Sequence, residues 1–287
     1  MTALGTISSP TATQKITRRP WTRDPLTYWT VGVVTVLLTV LVVLPALTPS
    51  SATELGVAAP LQPPSADHLF GTDQLGRDVA ARVLYGARLS MFVAFASALL
   101  ALVVGGFLGA VAATGPRWLS ECIMRVTDIG LAFPGILLAI VLAAVMGPDL
   151  STTVIVLGIV FAPQMARMAR GAILSEYGED YVVAARVLGA SRRRIVGYHA
   201  GMNAALPILV FTTVIMAEAI AAEAALSFIG AGIKPPAPSW GNIVRDGYSI
   251  VHAGAWWISL FPGIAIMLSV LGLNRYSEAL GRRLRLR

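Results

Sequence analysis

The sequence predicts an all-α polytopic membrane protein with six transmembrane helices. The first reason is composition, since 56% of the 287 residues are apolar and only 13% are charged, whereas about a quarter of the residues in soluble domains are charged. A soluble chain with so few charges would expose apolar surface almost everywhere. The second reason is spacing, because the chain contains six apolar runs near the ~20 residues needed to cross the hydrocarbon core.

The six runs divide the chain into segments. Residues 1–29 form a polar tail without the features of a cleaved secretory signal, and the first span follows at 30–48. Residues 49–88 form an extracytoplasmic or interfacial segment, Pro- and Ser-rich at first and then charged. The core, 89–280, holds five further spans and precedes a basic tail at 281–287. These five spans are 89–114, 129–148, 150–166, 204–233 and 253–274.

Basic residues lie mostly on one side of these spans. If both termini are cytoplasmic, 17 of the 22 lysines and arginines fall in the tails and cytoplasmic loops, as the positive-inside rule requires. The net charge of +7 therefore indicates membrane orientation and contact with lipid rather than binding to nucleic acid. On the opposite side, Trp240, Trp256 and Trp257 suit the headgroup level of an outer segment at 231–252.

No pattern for catalysis, nucleotide binding or metal binding is found in the sequence. A P-loop ends in Gly-Lys-Ser/Thr, but Lys15 and Lys234, the two lysines of the chain, do not follow glycine. The three histidines are far apart and none lies in an HExxH pattern, and Cys122 is the single cysteine. The sequence thus predicts a chain that is not an enzyme and holds no cofactor or metal of its own.

The predicted cytoplasmic loop 167–203 is too long for a simple turn, so we expect it to hold structure of its own. Apolar and small residues at 181, 184, 185 and 188 share one face of a helix, and Gly189 follows where a left-handed residue often ends a helix. Ser191 can cap a second helix that begins at Arg192. Periodicity leaves two alternatives open: the face docks on a partner, or it packs on its own bundle.

The stretch 179–191 resembles the EAA coupling loop of ABC importer permeases. The resemblance lies in Ala184-Ala185, three further residues, Gly189, and a downstream proline at Pro207. Two positions depart from the pattern, since Val183 stands where the triplet usually begins with Glu, and Gly201-Met202 stands where Leu-Pro is usual.

Three further stretches resemble the C-type subunit of the dipeptide/oligopeptide/nickel permeases. They are His68 to Asp78 with the arginines that follow, Asp128 to Pro134, and Glu223 to Gly241 with its Pro-Pro and Pro-Ser-Trp-Gly elements. The resemblance implies the type I ABC importer permease fold in a bacterial plasma membrane. It also implies import of di- or oligopeptides, with nickel or another small solute as the alternative.

The same resemblance implies partners. They are a second homologous permease, one or two ATPase subunits that hold ATP and Mg²⁺, and an extracytoplasmic binding protein. The 67–88 segment either contacts this binding protein or is a surface helix held by Asp–Arg pairs. The residues implied to contact an ATPase are Tyr181, Ala184, Ala185, Leu188, Gly189, Ala190, Ser191, Arg192, Arg193 and Ile195.

For three acidic residues and two glycines within or beside the spans, the sequence leaves two possible roles open. Glu218 and Glu223 either line a pathway or have a structural role, because a carboxylate in an apolar span needs a cavity or a partner. Asp128 is a further pathway candidate, unless it pairs with a basic residue such as Arg125. Gly105 and Gly109 allow close helix contact, either with a second permease or within the chain.

Two functions of other classes remain as alternatives. One is a secondary transporter driven by an ion gradient through Glu218 and Glu223. The other is a membrane scaffold that does not transport and has no ATPase partner.

Overall fold

The computed structural model of the protein describes residues 52, 53, 55, 56, 58–189 and 201–285. The predicted tail at 1–29 and the predicted first span at 30–48 lie outside these residues. The described part is all-α, with eight α-helices and one short 3₁₀ turn, Val251–Ala253, and no strand. The α-helices are α1 Val79–Thr114, α2 Arg117–Ala132, α3 Gly135–Met146, α4 Leu150–Tyr177, α5 Asp180–Val187, α6 Gly201–Ile229, α7 Trp240–Tyr248 and α8 Trp257–Arg285.

Four helices are long and apolar enough to cross a membrane: α1, α4, α6 and α8. Among the described residues a fifth span exists if α2 and α3, which meet at 90°, count as one broken span. Together with the predicted run at 30–48, this is compatible with the six spans expected from the sequence.

The third span is bent where the sequence predicted a continuous run at 129–148. Phe133, between α2 and α3, is extended at φ −87° and ψ 139°. The following residue, Pro134, lacks a backbone N–H and disfavours helical geometry in the residue before it. The apolar run alone therefore did not reveal that two helices share it.

Helices α1 and α4 extend beyond the apolar runs that predicted them. Helix α1 begins at Val79, where the Asp78 carboxylate accepts a hydrogen bond from the Ala81 N–H at 2.9 Å. Helix α4 continues to Tyr177, so the first third of the predicted loop 167–203 is helical. Charged residues are compatible with a helix outside the hydrocarbon core, so charge-free runs mark only its membrane-embedded part.

Close packing of α1 on α4 forms the centre of the bundle. A Cβ at Gly105 would overlap the carbonyl oxygen of Ala162, and a Cβ at Gly109 would overlap that of Ala166. The two glycines thus let the backbones of α1 and α4 approach closely. Their contact is within the chain, which decides between the two alternatives left open by the sequence.

The outer segment 231–252 packs against the bundle, and its position relative to the lipid interface stays a prediction. Helix α7 packs on α6 and α8, and Trp240 and Trp257 are only 3% and 7% exposed. Their indole N–H groups donate to the carbonyl oxygens of Val83 at 3.0 Å and Thr72 at 3.1 Å. Protein atoms, not lipid headgroups, therefore satisfy these two tryptophans, whereas Trp256 is exposed.

Candidate coupling elbow and intramembrane carboxylates

A short elbow follows α4 at the end predicted to be cytoplasmic. We use the name inner elbow for residues 178–189, which comprise the turn at Gly178 and Glu179, helix α5, and the two residues after it. Asp180 lies in the first turn of α5, where a carboxylate interacts favourably with the helix dipole. Val182 is fully buried and anchors the helix on the rest of the chain.

The inner elbow leaves apolar side chains uncovered at its far end. Val187 is 83% exposed and Leu188 is 87% exposed, beside the exposed Val183 and Ala184, while Ala185 is half-buried. The sequence interpretation included Leu188 but missed Val183 and Val187. Their spacing of four residues was the available signal, because it places both on one helix face.

Gly189 has a φ of +82°, so the left-handed conformation predicted at the end of this helix is present. Any other residue would be strained at this φ, even though a Cβ there would meet no atom within 4 Å. The other predicted contact residues lie outside the described part of the chain, namely Ala190, Ser191, Arg192, Arg193 and Ile195.

Tyr181 is directed towards its own chain. Its hydroxyl donates to Glu176 Oε2 at 2.6 Å and accepts from Asn203 Nδ2 at 2.9 Å. Burial, followed by the hydrogen bond to Glu176, raises the pKa of the Tyr181 phenol above its usual value. The hydroxyl therefore remains protonated at neutral pH and can donate to the carboxylate.

Glu223 is enclosed by the chain. It is fully buried, and its two carboxylate oxygens accept from the hydroxyls of Ser90 at 2.8 Å and Ser227 at 2.7 Å. These hydroxyls in turn accept from the backbone N–H groups of Trp240 at 3.2 Å and Ile233 at 3.3 Å. The network ties α1, α6 and the outer segment together, as a structural group does, and a pathway role for Glu223 stays a prediction.

Glu218 has a different environment on the same helix. It is exposed, and within the part of the chain that the structure describes, no hydrogen bond or ion pair reaches its carboxylate. Glu223 follows it five positions later, which places the two side chains about 140° apart around the helix axis. The uncovered face of α6 therefore carries a carboxylate within a strongly apolar window.

Asp128 pairs across two helices and not within its own. Its carboxylate binds the Arg167 guanidinium of α4, so the expected pair with a basic residue is present, but the partner is Arg167 and not Arg125. A residue three positions away on the same helix was the nearer candidate in sequence, but the packing of α2 on α4 brings Arg167 closer. Arg170 adds a second link between these helices by donating to Ser120 Oγ at 3.3 Å.

A cluster of charged side chains links three parts of the chain at the end of the molecule predicted to be extracytoplasmic. Asp73 is 1% exposed and accepts from Arg77 Nε and from Arg82 Nη1, both at 2.6 Å. Arg82 also reaches Asp246 of α7 at 3.0 Å. We call these four residues the outer cluster. Predicted Asp–Arg pairs are thus present, but residues 65–78 form turns and not a surface helix.

Comparison with known proteins places this arrangement in a family. Residues 105–286 match the family model described as the binding-protein-dependent transport system inner membrane component. The chain belongs to this family. It is therefore a multi-pass membrane permease component of such a transport system, and no enzymatic role is attached to the family match.

Curated relatives cover most of the chain. A putative peptide transport system permease protein of Brucella suis is 44% identical over 87% of this chain and 84% of its own length. The dipeptide transport system permease protein DppC of Alkalihalophilus pseudofirmus is 40% identical over 86% of this chain and 81% of its own. A probable D,D-dipeptide transport system permease protein of Escherichia coli is 34% identical over 90% and 86%.

A solved structure shares the fold. An inward-facing form of the MetNI methionine ABC transporter superposes with a TM-score of 0.55 at 21% identity, covering 69% of this chain and 96% of that chain. This likeness shows that the helices adopt the permease fold of an ABC importer.

Proposed function

We propose that this chain is the C-type permease subunit of an ATP-driven importer of di- or oligopeptides. The observation that carries the proposal is the exposed apolar tip of the inner elbow, Val187 and Leu188, at the position where the sequence resembles the EAA loop. Water is a poor environment for two adjacent aliphatic side chains, and a groove on a partner subunit would cover them. The names of the relatives support a peptide as the substrate.

The complete transporter would contain a second homologous permease, one or two ATPase subunits and an extracytoplasmic binding protein. ATP and Mg²⁺ would bind the ATPases, since the sequence of this chain offers no P-loop. With both termini cytoplasmic, the inner elbow faces the ATPases and the outer cluster faces the binding protein. Closure of the ATPases on ATP would move the elbow, and α4 and α6 would move with it.

Glu218 is the acidic residue we assign to the translocation pathway. A charged carboxylate facing lipid at this depth would cost several kcal/mol, about 2.5–3.5 on insertion scales for Asp. A water-filled pathway between two permeases removes most of this cost. The free α-ammonium group of a peptide is a natural transient partner for such a carboxylate.

Reconstitution tests the proposal directly. The chain is co-expressed with a second permease and the ATPases, purified through a tag on this chain, and placed in liposomes with the binding protein. We expect the ATPases to co-purify and a labelled dipeptide to accumulate only with hydrolysable ATP. A non-hydrolysable analogue and an ion gradient without ATP are the two controls.

Each alternative predicts a different outcome. Uptake of nickel but not of peptide would support an ATP-driven importer but identify nickel, not a peptide, as its substrate. Accumulation driven by an ion gradient alone would instead indicate a secondary transporter. A chain that purifies without any ATPase, and that moves no solute, would indicate a scaffold.

A further inference from the structure

One residue of the inner elbow joins three helices through a single oxygen atom. The Tyr181 hydroxyl, on α5, contacts Glu176 at the end of α4 and Asn203 at the start of α6. Glu176 precedes Tyr181 by five residues and Asn203 follows it by 22. The contact with Asn203 therefore links α5 to a helix that the chain reaches only after the rest of the predicted loop.

We infer that the Glu176–Tyr181–Asn203 bridge is a positioning device that makes α5 move α4 and α6 together, and that Tyr181 is not a contact for the ATPase. This inference rests on the proposed function, since it needs a motor that moves α5. It reassigns Tyr181, which periodicity grouped with Ala184, Ala185 and Leu188 and which the resemblance implied to contact an ATPase.

The turn before α5 makes such a bridge necessary. Gly178 and Glu179 are the two residues that separate α5 from α4, and an eight-residue helix is not stable by itself in water. Val182 fixes α5 by apolar packing, which resists separation but does not define rotation about the helix axis. A directional hydrogen bond from Tyr181 does define it, and a phenol–carboxylate bond of 2.6 Å is of the short, charge-assisted kind.

The first turn of α6, which contains Asn203, lacks one of the usual helical hydrogen bonds. Pro207 lies inside α6, and its missing N–H leaves the carbonyl of the residue four positions earlier, Asn203, without the usual helical partner. The first turn of α6 is therefore held less firmly by its own helix than the later turns. The side chain of Asn203 supplies a replacement attachment by donating to Tyr181.

Tyr181→Phe tests the inference because it removes the bridging oxygen and leaves the ring, Val182 and the exposed tip in place. We expect the complex to assemble in wild-type amounts and to hydrolyse ATP at a similar rate. Peptide imported per ATP hydrolysed should fall roughly three- to tenfold, the order of one net hydrogen bond, because both bonds are exposed and water replaces part of them. The measurement is uptake and phosphate release in the same proteoliposomes.

Tyr177→Phe is the matched control. Tyr177 lies four residues earlier, and its buried hydroxyl has no hydrogen-bond partner among the described residues. Removing that oxygen should leave the ratio of import to hydrolysis unchanged. Glu176→Gln keeps an acceptor for Tyr181, so it should retain most of the coupling, whereas Asn203→Leu removes one arm and should act non-additively with Tyr181→Phe.

Two results would overturn the inference while leaving the proposed function intact. One is a wild-type ratio of import to hydrolysis in Tyr181→Phe. The other is loss of the ATPase from purified Tyr181→Phe complexes, which would make Tyr181 a docking contact after all. Failure of the proposed function differs from both, because the wild-type complex itself would then show no ATP-dependent import.

Discussion

The two ends of this molecule are built in opposite ways. The outer end buries its charges and tryptophans against each other, with Asp73 held by two arginines and Trp240 and Trp257 donating to backbone carbonyls. The inner elbow buries Val182 and leaves Val187 and Leu188 bare. The outer end thus pairs charged and aromatic side chains within the described residues, whereas the inner elbow exposes two adjacent aliphatic side chains.

This difference shows where motion can enter the permease. A densely hydrogen-bonded outer end resists local rearrangement, so α1, α6 and α7 would move there as one body. A short helix attached through one buried valine and one bridging tyrosine can be displaced as a lever. The contrast predicts that substitutions at the outer end change stability, whereas substitutions at the inner elbow change function without changing stability.

The largest expected effect is at the outer cluster. Asp73→Ala removes the nearer carboxylate of the largely buried Arg77 and Arg82 and leaves them, among the described residues, only Asp246, at 3.7 and 3.0 Å, so we expect a cost of about 3 kcal/mol, the lower end of the range for breaking a buried ion pair. We expect a much lower melting temperature and little purified complex. Asp67→Ala is the control, since Asp67 is an exposed aspartate of the same segment. Equal melting temperatures for the two variants would contradict a locked outer end.

The next effect concerns the packing that joins the two ends. In Gly105→Ala the added methyl group overlaps the Ala162 carbonyl and lies 2.8 Å from Met165 Cβ, and overpacking of this kind costs about 1–3 kcal/mol. Gly106→Ala is its neighbour control, because the nearest atom there is Leu102 Cδ1 at 3.7 Å. We expect a lower melting temperature for Gly105→Ala alone, and a similar loss in both variants would disprove the packing argument.

A smaller effect, on binding and not on folding, is expected at the inner elbow. Leu188→Asp places a charge in the predicted partner groove, and we expect the affinity for the ATPase to fall tenfold or more, or about 1.4 kcal/mol. The melting temperature of the permease should not change, because Leu188 is already in water. Leu69→Asp, at an exposed leucine of the 49–88 segment, should retain the ATPase in the same pull-down. If the Leu188→Asp variant also retains the ATPase, the inner elbow is not part of the interface.

The smallest effect is expected at Glu218. Glu218→Gln should leave both the melting temperature and ATP hydrolysis unchanged, because the carboxylate is exposed on α6. Uptake of a dipeptide with a free amino terminus should fall about fivefold, the order of one net hydrogen bond in a water-filled pathway. Glu218→Asp keeps the charge and should behave like the wild type. A drop in melting temperature for Glu218→Gln would indicate a structural partner instead.

The helices were predictable from the sequence because long apolar runs have few alternatives in a membrane protein. The ends of the helices were less predictable than their existence. Arg82 and Arg88 lie inside α1, whereas a search for charge-free runs ends at the first charged residue. The bend at Phe133-Pro134 had a visible signal in the proline, but its angle depends on how α2 and α3 pack on α4.

The candidate site was predictable only where short-range sequence spacing determines the structure. Ala184 to Gly189 could be read from periodicity and resemblance, as could the left-handed glycine. The partner of Asp128 is 39 residues away, and no local pattern contains that distance. Glu218 and Glu223 look equivalent in sequence, but the rotation of α6 buries one and exposes the other.

If α2 and α3 together form one broken span, their lengths have a consequence for the surrounding lipid. Helix α3 has 12 residues and so rises only about 18 Å, whereas the hydrocarbon core is about 30 Å thick. In that case the apolar end of α2 would enter the acyl region to fill the difference, or the bilayer would thin beside α3. The stability of this span should then depend on the acyl-chain length of the surrounding lipid.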